Sequence, residues 1–95
     1  MSASSERFPR ANAANIRMAL NTLIELDELE KSDAEVRIRA TQKALHALER
    51  AEALSGNPDM TVAEAENYLK ALARGGNVEA QKLLEAFADP FLDLG

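Results

Sequence analysis

The apolar residues of this chain fall into four stripes at helical spacing, separated by turn residues. The first runs through Ile16, Ala19, Leu20, Leu23, Ile24 and Leu26, which share one face at about 100° per residue. Asp27 and Glu30 then occupy the positions that would extend it. The second stripe has two edges. Val36, Ala40, Ala47, Ala51 and Leu54 form an edge of mostly small residues, and Ile38, Thr41, Leu45 and Leu48 form another at near-heptad spacing. Together they cover about 200°, wider than the roughly 100° stripe of a helix with one partner. The second helix is therefore predicted to be central. Its alanine edge suits close backbone approach, and its leucine edge suits knobs-into-holes packing. Val62, Ala65, Leu69, Leu72 and Ala73 mark a third helix, and Ala80, Leu83, Leu84 and Phe87 a fourth.

The residues between the stripes agree with them. Ser32 and Glu35 have capping-box spacing, as do Thr61 and Glu64. In such a box the hydroxyl accepts from the N3 amide, and the glutamate reaches back to the cap amide. Asn77 stands where a third cap is needed. Stops follow in step: Ser55-Gly56-Asn57-Pro58, Gly75-Gly76 and Asp89-Pro90. Glycine suits the left-handed position after a helix, and proline cannot continue one. The pattern predicts helices over 11–30, 33–54, 62–74 and 78–88. The break at 31–32 reads as a hairpin, because the first stripe fails there. The expected architecture is an all-α bundle of about four helices that self-associates. Residues 1–10 form an arm, 11–55 a helical hairpin and oligomerisation core, 61–89 a short helical hairpin, and 90–95 an apolar tail.

Composition supports helices. The chain is rich in Ala, Leu and Glu, with four glycines, three prolines and few aromatic residues. The absence of cysteine excludes disulfides and thiolate metal sites. No apolar run approaches the roughly 20 residues that cross a bilayer. The start of the chain lacks the apolar core of a secretory signal. A cytoplasmic protein without membrane contact is expected.

Charge disfavours nucleic acid as a general partner, because 16 acids oppose 11 bases for a net −5. The charge is segregated. Residues 25–35 hold six acids and one lysine, while 37–50 carry Arg37, Arg39, Lys43 and Arg50. Such blocks suit solvated faces or ion pairs between neighbouring helices.

Nothing in the sequence supports enzymatic chemistry. His46 is the only histidine and is expected to be a solvated helical side chain. No nucleophile elbow, phosphate loop, dinucleotide fingerprint or zinc-protease motif is present. Glu25, Asp27, Glu28 and Glu30 lack the glycine loop of a calcium site. No catalytic or metal residue, cofactor or small-molecule substrate is expected. Residues 67–86 align with a DNA-reading helix-turn-helix, but Gln81 takes a buried position, and Glu79 and Glu85 oppose Lys82 on the reading helix. Any nucleic-acid contact should be weak and should use Arg7, Arg10, Arg17, Arg37, Arg39 and Lys43.

The stretch Ala65, Tyr68, Leu72-Ala73, Gly76-Asn77 and Ala80 resembles the helix-turn-helix unit of tetratricopeptide-type repeats, and the segment from Leu72 to Pro90 resembles the second half of an ankyrin repeat. The resemblance covers about a quarter of the chain and implies a helical hairpin; a repeat array needs about three copies. After it come Phe87, Phe91, Leu92 and Leu94, an apolar ending that suits either a strap over the core or a motif for a partner groove. Leu92-Asp93-Leu94 resembles the middle of bacterial sliding-clamp-binding peptides, and Asp89-Pro90-Phe91 an endocytic adaptor motif.

The expected function is non-enzymatic: an adaptor or regulator that binds a protein partner stoichiometrically. Ile38, Thr41, Leu45 and Leu48 are the expected homo-oligomer seam, and Phe87, Phe91, Leu92 and Leu94 the partner-binding tail. One alternative is a phage-type DNA-packaging accessory resembling small terminase subunits. Another is an acidic inhibitor that mimics nucleic acid.

Overall fold

The computed structural model of the chain describes residues 10–30 and 33–92. They form four helices, α1 (Ala13–Glu28), α2 (Ala34–Ser55), α3 (Val62–Arg74) and α4 (Val78–Phe87), and no strand among the described residues. The fold is all-α. One isolated antiparallel bridge, Asn12 to Thr61, joins the residues that lead into α1 and α3. The Val62 amide donates to the Ala11 carbonyl there at 2.7 Å.

Local chemistry sets the helix ends. Thr61 and Glu64 form a reciprocal capping box, with bonds of 3.2 and 2.9 Å. Asn77 Oδ1 accepts from the Ala80 amide at 2.9 Å. Asn12 and Asn15 form a further reciprocal box at the start of α1. The sequence reading missed it, because an asparagine at N3 is not the usual partner. Of the box expected at Ser32 and Glu35, Ser32 lies outside the described residues. The α2 N-cap is Asp33, which makes no side-chain capping bond. Asp33 and Glu35 instead pair one turn ahead with Arg37 and Arg39. Gly56 closes α2 at φ 71°, a left-handed position that costs glycine least.

The α1–α2 break is a hairpin. Arg17, near the start of α1, bonds Glu49, near the end of α2, at 2.6 Å, so the two helices run antiparallel. The α3–α4 hairpin turns at Gly75-Gly76-Asn77. There the Gly75 and Asn77 amides both donate to the Leu72 carbonyl. α2 is the spine, packing against α1, α3 and α4.

The two edges of α2 take different neighbours, as its ion pairs show. Glu49 lies beside the leucine edge and reaches α1. Arg50 lies beside the alanine edge and reaches Glu79 of α4. Ala40, Ala44, Ala47 and Ala51 are buried, so neighbouring backbones approach α2 closely. Ile16, Leu48, Val62, Leu69, Phe87 and Leu92 are the large side chains that fill the same core. Each such residue contributes roughly 1.5–3 kcal/mol by leaving water. Thr41 is fully buried, with its hydroxyl donating to the Arg37 carbonyl at 2.8 Å.

This packing changes the reading of the leucine edge. Thr41 and Leu48 have no exposed surface, because α1 fills that side of α2. Ile38 and Leu45 stay half-exposed. The intact fold therefore cannot offer all four residues to another copy.

Candidate functional site

Phe87 and Leu92 are buried, while Phe91 is 51% exposed; Leu94 lies outside the described residues. Residues 89–92 form a turn. The Asp89 carboxylate accepts from the Phe91 amide at 2.8 Å, and the Asp89 carbonyl accepts from the Leu92 amide at 3.1 Å. This turn folds Leu92 inward. Leu92 is thus a plug for the bundle, while Phe91 keeps substantial apolar surface.

An opening among the described residues lies between α2 and α4, a groove of about 640 Å³. Arg39, Lys43 and His46 follow one another at i, i+4 and i+7 along α2. Lys82, Ala86 and Asp89 do the same along α4 and just beyond it. Leu83 and Ala86 give the groove an apolar floor, while Glu85 and Asp89 add negative charge on the α4 side.

The charges are not all satisfied. Arg39 bonds Glu35 at 2.8 Å, but Lys43, His46 and Lys82 make no ion pair with any described residue. Beyond the His46 end, Arg50 clamps Glu79 with two bonds of 2.8 and 3.2 Å. The Arg50 hydrogen bond holds the Glu79 carboxyl below the usual carboxylate range, with a smaller pull from His46. The guanidinium is raised in turn, mainly by the same hydrogen bond. With Arg39 matched by Glu35, the groove sets two cations, Lys43 and Lys82, against two carboxylates, Glu85 and Asp89.

The structure divides the expected nucleic-acid residues. Arg7 lies outside the described residues, and Arg10 is exposed at the start of the chain. Arg17, Arg37 and Arg39 each pair with a carboxylate of the same chain. Arg17 lies on the α1 side of α2, away from Arg39 and Lys43 in the groove. These cations do not make one continuous band.

Sequence reasoning missed Lys82 and Asp89 as groove residues, because the pairing of α2 with α4 was not settled by pattern. It also missed Glu66. That side chain sits within the α3 stripe at i+4 from Val62 and is 5% exposed. Its Oε2 lies 3.8 Å from Lys70 Nζ, and its Oε1 has no hydrogen-bond partner among the described residues. An acid at a stripe position was a legible signal. Glu25, Asp27, Glu28 and Glu30 are all exposed. Among the described residues no group of three or more His, Cys, Asp or Glu side chains is placed to hold a metal ion. No helix there is long and apolar enough to cross a membrane.

No protein-family model, curated protein or solved structure matches this chain.

Proposed function

We propose that the protein is a non-enzymatic binding module whose α2–α4 groove receives an acidic, amphipathic helix of a partner protein. The observation that carries this reading is the groove itself. Lys43 and Lys82, which make no ion pair with any described residue, stand around a floor of Leu83 and Ala86, with His46 between Lys43 and the Arg50–Glu79 pair. An amphipathic helix laid in a groove offers apolar anchors to the floor and charges to the rims. Unpaired rim cations speed encounter and fix register more than they add affinity. Glu85 and Asp89 favour a helix over a phosphate backbone, because a polyanion would meet both carboxylates at close range. The role is that of an adaptor or regulator acting by occupancy.

An NMR titration of the labelled chain tests this. One probe is a short synthetic helix with leucines on one face and glutamates flanking them. The other is a duplex DNA oligonucleotide. The peptide is expected to move the amides of Lys43, His46, Lys82 and Ala86, and Lys43→Glu with Lys82→Glu to abolish the shifts. Duplex binding with a steep salt dependence, and no response to the peptide, would favour the DNA-packaging reading instead.

A further inference from the structure

A second surface lies on the other side of α2. Arg17, Leu20 and Ile24 share a face of α1 at i, i+3 and i+7. Glu49, Leu45 and Ile38 share a face of α2 at i, i−4 and i−11. The Arg17–Glu49 bond at 2.6 Å crosses between the helices and places both rows on one side of the hairpin. α4 packs on the opposite side, where Arg50 holds Glu79. Leu20, Ile38 and Leu45 are partly buried on this side, and Ile24 is 41% exposed. α1 packs mainly on α2, so none of the four helices covers this strip.

The strip is charged differently at its two ends. Arg17 and Glu49 mark one end. Glu28, four residues beyond Ile24 on the same face, marks the other, and makes no ion pair with any described residue. Glu28 also closes α1 with no base in the last turn, where the helix dipole disfavours an acid. A two-fold axis through the middle of the strip would set Glu28 of each copy beside the Arg17–Glu49 pair of the other, where the guanidinium N–H groups that Glu49 does not use can take it, and would join the apolar rows between them. We propose that this face is a self-association seam on which a second copy of the chain packs antiparallel, joining two α1–α2 hairpins into a four-helix layer.

Two-fold pairing uses one patch twice and closes without leaving a further sticky edge. The footprint follows from helix length and width. A 16-residue α1 is about 24 Å long, and a helix pair is about 20 Å wide, giving about 480 Å² for each copy. A standard stable interface buries about 800 Å² for each partner. The dimer is therefore concentration-dependent. The seam lies away from the groove, and it stands whether or not the groove binds a partner.

Sedimentation equilibrium on the full chain, from about 5 to about 500 µM, tests the proposal. The mass is expected to rise from the 10.3 kDa monomer towards twice that value. Ile24→Glu should hold it at the monomer value with helicity unchanged. Glu28→Arg should weaken dimerisation at least tenfold, while improving the α1 terminus and leaving the melting temperature the same or higher. A swap of both charges, Arg17→Glu with Glu28→Arg, should recover part of the loss. A constant monomer mass over the whole range would overturn the proposal. So would a dimer insensitive to both Ile24→Glu and Glu28→Arg, which would place the interface elsewhere.

Discussion

Arg50 of α2 and Glu79 of α4 meet through two hydrogen bonds, Nε to Oε2 at 2.8 Å and Nη2 to Oε1 at 3.2 Å. The pair pins the start of α4 to α2 near one end of the groove. Because the hydrogen bond lowers the Glu79 pKa, the stabilisation is complete above the ordinary glutamate value of 4.5 and is lost as pH falls through the lower folded value. Carbon-detected titration of labelled glutamates should find Glu79 among the last to protonate. Arg50→Ala should return it to the ordinary range. A Glu79 that titrates with the exposed acids of α1 would show that the pair is not held in solution.

The two glycines of the α3–α4 turn should respond in opposite ways to alanine. Gly76 has φ 94°, a backbone region that side chains rarely adopt, and Gly76→Ala is expected to cost about 1–2 kcal/mol. Gly75 has an ordinary φ of −81°. A Cβ there would sit 3.4 Å from the Leu72 carbonyl, an ordinary contact. Gly75→Ala should be neutral or stabilise by up to about 1 kcal/mol, through reduced freedom of the unfolded chain. Urea denaturation of both variants checks the contrast. Equal losses would mean that the turn readjusts as a unit.

α2, α3 and α4 were legible because each carried two independent signals, a stripe and its punctuation, and α1 by its stripe alone. Val62–Arg74 emerged with the predicted ends, fixed by Thr61, Glu64 and Gly75-Gly76. The centrality of α2 was legible from its arc, which no single partner can cover. Which neighbour covers which edge was not, because alanine and leucine edges can both accept a helix of the same chain or of another. Leu48 was therefore read as seam although the fold buries it, because the choice depends on where α1 returns. Leu92 was ambiguous for a related reason. Whether an apolar residue after a proline plugs the core or points outward depends on a turn set by Asp89, which no periodicity announces. The groove needed both kinds of information at once, since its two walls come from helices about 40 residues apart.

Glu66 should be a site where an apolar residue improves the protein. Its carboxylate is buried in the α3 stripe, with one oxygen lacking a hydrogen-bond partner and the other 3.8 Å from Lys70. A buried polar atom without a partner costs about 1–3 kcal/mol. Glu66→Leu removes that cost and keeps the volume, so a gain of about 1–2 kcal/mol is expected in urea denaturation. Glu66→Gln still buries polar atoms and should gain less. A loss with Glu66→Leu would mean that the Lys70 contact outweighs the orphaned oxygen.

Leu92 and Phe91 are neighbours with opposite surroundings, 1% and 51% exposed, and the difference predicts their substitutions. Leu92→Ala empties a buried position and should cost about 2–4 kcal/mol. In a domain of this size each kcal/mol corresponds to about 4–8 °C in melting temperature, so the variant should melt well below the parent. Phe91→Ala should change stability by less than about 0.5 kcal/mol, since it removes an exposed side chain whose amide bond to Asp89 persists. Asp89→Ala tests the link between them. Without the carboxylate that accepts from the Phe91 amide, the turn loses that bond, and Leu92 should be held less firmly. Its cost should fall between the other two and should shrink when combined with Leu92→Ala, because both changes then act on the same plug. Additive costs would mean that Asp89 stabilises the chain by another route, as a groove carboxylate beside Arg39 and Lys43.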